Sequence, residues 1–198
     1  MADAHSACER LCDPEAEVSA HYLIGRDGAL WSLVPEQERA WHAGAGTWRG
    51  LGDVNSRSIG IELDNDGRTP FSEPLMARLE TVLAGILDRW SIPPEAVIAH
   101  SDMAPERKYD PGPRFDWQRL ALGGLAVWPE AEAVASADAF LAAAHAFGYP
   151  MDASPQAILD AFRHRFRPWA AGPVTSADAA AAQSLARRFG IDRCGVPA

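Results

Sequence analysis

Residues 18–34 read VSAHYLIGRDGALWSLV and indicate a β-hairpin. Two segments, 18–24 and 29–34, are rich in valine, leucine and aromatic residues, and the turn residues RDG at 26–28 separate them. A third segment, SIGIEL at 58–63, has the alternating pattern of a strand and runs into the turn-forming residues DNDG at 64–67. The sequence therefore predicts a sheet that contains this hairpin and at least one further strand.

Candidate helices surround these strands. Residues 4–12 predict a short helix, and residues 72–90 predict a longer one that starts with Ser72 as N-cap. Residues 96–99, AVIA, predict a short buried strand that ends at His100, and another helix is expected from about Asp116. This alternation is typical of an α/β domain with a mixed central sheet flanked by helices.

The composition changes after Trp128 and Pro129, where alanine becomes frequent. Helical blocks are predicted at about 137–147, 154–166 and 176–190, with proline- and glycine-containing breaks between them. We therefore divide the chain into an α/β domain at 1–128 and a linker with a small three-helix module at 129–198.

Composition and charge exclude some classes of protein. The chain has 198 residues, 47% of them hydrophobic, so it can form a substantial core. The net charge of −9 argues against a nucleic-acid-binding protein, and no apolar run reaches the roughly 18 residues that a membrane span needs. The polar start is not a signal peptide, so the default location is the cytoplasm. Three cysteines, Cys8, Cys12 and Cys194, do not suggest a disulfide framework and are expected to be buried or partly buried free thiols.

The segment HSDMAPERKYDPGPRFDW, residues 100–117, carries the densest functional signal. Pro111 and Pro113 stiffen the loop, which allows Asp110 to return towards His100. An imidazole and a carboxylate form a partial ligand set for catalytic zinc, and Lys108 is suited to neutralise an oxyanion. Taken one at a time, these residues also have non-catalytic explanations, because an aspartate can cap a turn and a lysine can simply lie in solvent.

Two further polar residues are ambiguous by themselves. Glu62, in SIGIEL, is either a solvated residue at a strand edge or a catalytic base, and the first interpretation is the more common. His42, in AWHAG at 40–44, is either a loop histidine bonded to backbone or a residue of a cleft. Neither residue decides a function without its neighbours.

Four motifs occur in one order: VSAHYLIGRDG, RAWHAG, SIGIEL and HSDMAPERKYDPGPRFDW. Together they resemble the zinc-dependent N-acetylmuramoyl-L-alanine amidases, which share a fold with peptidoglycan recognition proteins. The resemblance covers about residues 16–128. Residues 137–190 are similar, less specifically, to a helical peptidoglycan-binding module.

The resemblance implies a site and a reaction. By this resemblance, His100 and Asp110 are expected to bind Zn²⁺. Glu62 is expected to be the acidic catalytic residue, and Lys108 is expected to stabilise the oxyanion. His42 is expected to line the cleft and Trp41 to stack against substrate, whereas His21, inside the hairpin, is expected to be structural. The implied reaction is hydrolysis of the amide between N-acetylmuramic acid and L-alanine in peptidoglycan or muropeptides, by a monomer.

One position departs from the family pattern. The family takes a third zinc ligand from a histidine on an early strand, and this chain starts just after the place where that strand would lie. His5 falls in a predicted helix and does not match the motif. We favour a natural start further upstream, in which case the expected location is the periplasm or cell envelope. With two ligands, the chain is expected to bind zinc weakly and to have low activity.

Alternatives remain open from the sequence. One is a peptidoglycan-binding protein that keeps the cleft but has little or no catalysis, which the absent ligand suits. Another is a different zinc hydrolase, such as a peptidase. The substrate is either intact wall, which the helical module favours, or recycled anhydro-muropeptide.

Overall fold

The computed structural model describes residues 3–130 and 135–191. A three-stranded sheet has the order β2-β1-β3, with β1 at Tyr22–Ile24, β2 at Leu30–Ser32 and β3 at Ile61–Leu63. Strand β1 pairs antiparallel with β2 and parallel with β3. The mixed sheet, with helices around it, confirms the predicted α/β fold.

The strands are shorter than predicted because the flanking backbone bonds to loops. The amide of Ser19 donates to the carbonyl of Trp41, and those of His21 and Tyr22 both donate to the carbonyl of Gly60. The turn that joins β1 to β2 lies where the sequence places it, since the Gly28 amide donates to the Gly25 carbonyl at 2.9 Å. The hairpin therefore forms as predicted, although the ladder covers fewer residues.

Helices α1 and α2 cover this sheet. Helix α1, Ala4–Cys12, begins at the N-cap Asp3, whose side chain accepts the Ser6 amide, and α2 extends over Glu73–Trp90. The helical spacing of Leu75, Leu79, Val82, Leu83, Ile86 and Leu87 predicts the buried side of α2, and four of these residues are buried while Val82 and Leu87 are half-buried. Buried residues of α2 form one core with residues of β1 and of the segment 115–126: Leu75, Met76, Leu79, Leu83, Ile24, Phe115, Trp117, Leu120 and Ala126. Burying each such side chain contributes roughly 1.5–3 kcal/mol, which holds the helix on the sheet.

The strand predicted at 96–99 is wrong. A 3₁₀ turn occupies Pro94–Ala96, and a short helix, α3, then covers His100–Met103. Two backbone groups that would pair with a neighbouring strand bond to side chains instead. The Val97 carbonyl accepts a hydrogen bond from Arg165, and the Ala99 amide donates one to Asp102. His100 is therefore the first residue of a helix. Helix α4, expected from about Asp116, covers Trp117–Leu122 with Asp116 as its N-cap.

The C-terminal part contains helices α5 at Phe140–Phe147, α6 at Pro155–Phe166 and α7 at Ser176–Phe189, close to the three predicted blocks. Their core is not separate from the α/β domain. One cluster joins their buried side chains to residues of the first part, namely Ala43, Trp48, Val54, Met103 and Ala104. The boundary at 128 and 129 stays a prediction, and residues 131–134 of the linker lie outside the described residues.

Two further expectations concern membranes and thiols. Within the described ranges, no helix is both long and apolar enough to cross a membrane. Cys8 and Cys12 are free thiols on α1, and Cys8 is partly buried as predicted. The predicted burial is wrong for Cys12, which is exposed because Ala4, Ala7 and Leu11 form the buried side of α1. Cys194 lies outside the described residues.

Candidate active site

The central pair of the site is His100 and Asp110. Loop residues 104–110 return to α3, because the Ser101 amide donates to the Asp110 carbonyl at 3.1 Å. The Nδ1 atom of His100 then contacts Oδ2 of Asp110, and its Nε2 lies 2.7 Å from the His42 carbonyl. Since a carbonyl only accepts, Nε2 carries a proton and Nδ1 is the nitrogen that faces the carboxylate. The two predicted metal ligands therefore meet.

The loop between these residues is compact. The Ala104 carbonyl accepts the amides of both Arg107 and Lys108 at 2.9 Å. The guanidinium of Arg107 donates to the carbonyls of Ala43 and Ala45 at 2.8 and 2.7 Å. This arginine therefore fastens the loop of residues 104–110 to the loop that contains His42.

Charge around the pair favours its ionised form. Burial alone would lower the pKa of His100, but its contact with Asp110, the His42 carbonyl and the charge of Glu62 raise that pKa. Burial would raise the pKa of Asp110, yet the hydrogen bond and charge of His100, with the charge of Lys108, lower it. The pair is thus an imidazolium next to a carboxylate whose negative charge is stabilised.

Glu62 lies on β3 and is partly buried. Burial raises the pKa of its carboxyl, the charge of Asp110 raises it further, and the charges of His100 and Lys108 oppose that rise. The charges of His100, Asp110 and Lys108 all act on Glu62, so these four side chains lie in one region of the fold. Such a glutamate has a pKa closer to neutral, as a general base requires.

His42 lies behind the pair. Its backbone amide and that of Ala43 both donate to Oδ1 of Asn55, at 3.0 and 2.8 Å, which orients the His42 carbonyl. Its ring packs edge-to-face on His21 with centroids 5.6 Å apart. Burial, with the nearby charges of His21 and His100, lowers the pKa of His42 to about 4. His42 therefore contributes a neutral ring and a carbonyl acceptor.

The other two aromatic residues singled out by sequence have different surroundings. His21 is 1% exposed, and both ring nitrogens bond to backbone, to the Gly60 amide at 2.9 Å and the Glu38 carbonyl at 3.0 Å. This agrees with the structural role predicted for it. The ring of Trp41 is 56% exposed and lies under the Arg39 guanidinium, 4.4 Å from the ring centroid. An exposed indole face is available for stacking.

The donor set fits part of a zinc site. A metal-ligating histidine usually donates its other ring N–H to a carbonyl, as His100 does to His42. Catalytic zinc takes three protein ligands, however, and among residues 3–130 and 135–191 no group of three His, Cys, Asp or Glu side chains could hold a metal. His5 does not supply the third, since it is exposed on α1 and lies 3.4 Å from Glu9.

Several residues that shape the site were not predicted from sequence. Asn55 holds the His42 loop, Arg107 fastens two loops, and Asp102 bonds the start of α3. Asp102 carried one signal, because it stands at the N3 position of a helix, where acidic residues favour the free amides. The partners of Asn55 and Arg107 are distant in sequence, so no local pattern indicates them.

Known proteins similar to this chain are amidases. The family model described as N-acetylmuramoyl-L-alanine amidase matches residues 1–113. The amidase AmiD of Escherichia coli is 35% identical over 224 residues, covering 96% of this chain and 80% of that protein. AmpD of Enterobacter cloacae, a 1,6-anhydro-N-acetylmuramyl-L-alanine amidase, is 43% identical over 103 residues, about half of each protein.

Solved structures give the same result. AmiD from E. coli, in complex with anhydro-N-acetylmuramic acid-L-Ala-D-γ-Glu-L-Lys, matches with a TM-score of 0.87 and covers 96% of this chain and 86% of that one. AmpDh3 from Pseudomonas aeruginosa, in complex with an anhydromuramic pentapeptide, matches with a TM-score of 0.80 at 28% identity, over 96% of this chain and 89% of that one. The fold and these relatives define a hydrolase that acts on amides. The chain belongs to the N-acetylmuramoyl-L-alanine amidase family.

Proposed function

We propose that this protein hydrolyses the amide bond between the lactyl carbonyl of N-acetylmuramic acid and the amine of L-alanine, and that the reaction depends on zinc. The observation that carries the proposal is the contact between His100 and Asp110. The Nε2 atom of His100 bonds to the His42 carbonyl, and the charges of this pair and of Lys108 act on Glu62. Anhydro-muropeptide is the proposed substrate, because AmiD and AmpDh3 were solved with such molecules.

Each residue has a proposed role. Glu62, with its pKa raised by burial, takes the proton of the attacking water and passes it to the leaving amine. Lys108 places its ammonium against the oxygen that becomes negative in the transition state. Trp41 offers its exposed ring as a surface on which substrate stacks.

His100 through Nδ1 and Asp110 through Oδ2 would hold the zinc ion. When bound, zinc supplies Lewis-acid polarisation of the carbonyl and lowers the pKa of water. His42 assists through its main-chain carbonyl, which fixes the tautomer of His100 in which Nδ1 is free to bind a metal.

The test is to incubate the zinc-supplemented protein with anhydro-muropeptide and to detect, by mass spectrometry, free peptide with a new L-alanine N-terminus. Glu62→Gln is expected to keep the zinc content and lower kcat by about 10²–10⁴-fold. Glu9→Gln, an exposed glutamate on α1, is the control and should keep wild-type turnover. Wild-type turnover by Glu62→Gln would show that Glu62 is not the base.

A second candidate is peptidoglycan binding with little or no hydrolysis. It is favoured because no group of three metal-binding side chains occurs in the described part of the chain. Trp169 and Met151, which are 71% and 68% exposed, lie in the loops on either side of α6 and could contact a glycan or peptide. Binding of the zinc-supplemented protein to insoluble cell-wall sacculi, weakened by Trp169→Ala and without peptide release, would favour this function over the first.

A further inference from the structure

The C-terminal helices contact the same short segment that carries the His100–Asp110 pair. Asp102, two residues after His100, is fully buried and bonded on several sides. Its Oδ2 accepts the Ala99 amide at 2.9 Å, which closes the first turn of α3. The remaining partners of its carboxylate come from the C-terminal part of the chain.

Arg165 on α6 is the first of those partners. Its Nη1 donates to Oδ2 of Asp102 at 2.6 Å, and its Nη2 donates to the Val97 carbonyl at 2.9 Å. The guanidinium also stacks on Trp117, 4.2 Å from the ring centroid. One arginine therefore bonds the backbone just before His100 and the side chain just after it.

Tyr149, between α5 and α6, is the second partner. Its hydroxyl donates to Oδ1 of Asp102 at 2.7 Å, and the whole residue is 2% exposed. Both carboxylate oxygens of Asp102 are thus used, and the fully buried charge has a fully buried counter-charge. Breaking either of these bonds to Asp102 leaves a buried polar group unpaired, which disfavours other arrangements of the network.

Two more contacts join the C-terminal helices to the loop that holds Lys108 and Asp110. A side-chain oxygen of Glu106 accepts the amide of Ser154, the N-cap of α6, at 2.7 Å. The ring of Tyr109 packs against His164 on α6, with centroids 4.4 Å apart. Helix α6 therefore touches this segment at three separate places.

We propose that Arg165 is a positioning residue of the amidase site and that α6 is a structural support of that site. This inference rests on the proposed function for its kinetic consequence. Arg165 touches no reacting atom. It acts through Asp102 and the Val97 carbonyl to fix the first turn of α3, and therefore the direction of the His100 ring towards Asp110.

Helix α6 itself supplies a matched control. Arg163 is also buried, pairs with the buried Asp178 at 2.6 Å and donates to the carbonyls of Gly172 and Pro173. All of those partners lie on α7 or in the loop between α6 and α7. Arg165→Met and Arg163→Met thus remove the same kind of buried ion pair from the same helix, but only the first pair reaches the site.

The experiment compares wild type, Arg165→Met and Arg163→Met at a temperature where circular dichroism shows each to be folded. The first readout is the NMR signals of the His100 ring at one fixed pH, assigned with His100→Ala among the six histidines of the chain. The second is kcat and KM on anhydro-muropeptide. Arg165→Met is expected to move the His100 signals and lower kcat about 100-fold with little change in KM, because a displacement of about 1 Å misaligns the reacting groups.

Arg163→Met is expected to leave the His100 signals and kcat near wild type. Arg165→Lys should restore much of both, since its ammonium still reaches Asp102. Equal effects of Arg165→Met and Arg163→Met on the His100 signals, or no effect of Arg165→Met, would overturn the proposal.

If Arg165→Met does not fold, Arg165→Gln and Arg163→Gln are compared by the same readouts, and equal His100 signals in those two variants would likewise overturn it. If wild type releases no peptide, the proposed function fails, but the His100 signals still decide this inference.

Discussion

A substitution at Gly60 would test whether the close packing of His42 is required for stability and for turnover. A Cβ atom at this residue would lie 2.3 Å from Cγ of His42, whereas ordinary contacts begin at 3.4 Å. The His42 ring must therefore retreat by about 1 Å. The ring has little room to do so, because His21 packs against it and Asn55 holds its backbone amide.

Gly60→Ala should therefore have two effects. Overpacking of this kind costs about 1–3 kcal/mol in the free energy of unfolding. For a protein of this size, this corresponds to a decrease in Tm of roughly 2–12 °C. The His42 carbonyl orients His100, so a shift of about 1 Å should also lower turnover about 100-fold.

The assay is thermal unfolding followed by circular dichroism, together with peptide release from anhydro-muropeptide. Gly52→Ala is the control, because its Cβ would meet no atom within 4 Å and its backbone is not in the left-handed region. The control should change neither quantity. A Gly60→Ala protein with wild-type Tm and turnover would refute the view that this contact fixes the site.

Three further outcomes are expected. Tyr149→Phe should lower the free energy of unfolding by about 1.5–3 kcal/mol in urea titrations, because it removes a buried hydroxyl that donates to the Asp102 carboxylate. The control is Tyr109→Phe, at a residue 55% exposed, and its free energy of unfolding should stay within about 0.5 kcal/mol of the wild-type value. Burial opposes ionisation of Asp178, but hydrogen bonds from arginine and threonine side chains lower its pKa to about 2, from 3.8. Its contribution to stability is therefore complete above pH 4 and lost as the pH falls towards 2, and Asp178→Asn should remove this part of the acid transition seen by circular dichroism. His100→Ala and Asp110→Ala should each reduce zinc binding measured by calorimetry, and unchanged binding in both would place the metal elsewhere.

Local patterns were enough to predict most elements. The RDG turn at 26–28 predicted the hairpin, and the spacing of Leu75, Leu79 and Leu83 predicted the buried side of α2. The N-cap Ser72 placed the start of α2 within about a residue, and the helices expected from about residues 116 and 154 begin at Trp117 and Pro155. These signals are local because turns and helices are formed by residues close in sequence.

The strand predicted at 96–99 shows where local reasoning failed. A short apolar run fits a strand as well as an extended segment, and tertiary contacts decide between them. Here Arg165, 68 residues from Val97, takes the carbonyl that a neighbouring strand would have bonded. No pattern within the run indicated that partner.

The sequence by itself determined which side chains could do chemistry: the histidine, lysine and aspartate of residues 100–110, and the glutamate in SIGIEL. Their meeting around one point required the folded chain, since β3, α3 and the returning loop converge only when the sheet and its helices pack. Tertiary structure alone decided what holds them there. The Asn55, Arg107 and Asp102–Arg165 contacts join residues 12–64 positions apart, and a contact over such a distance leaves no period or spacing in the sequence.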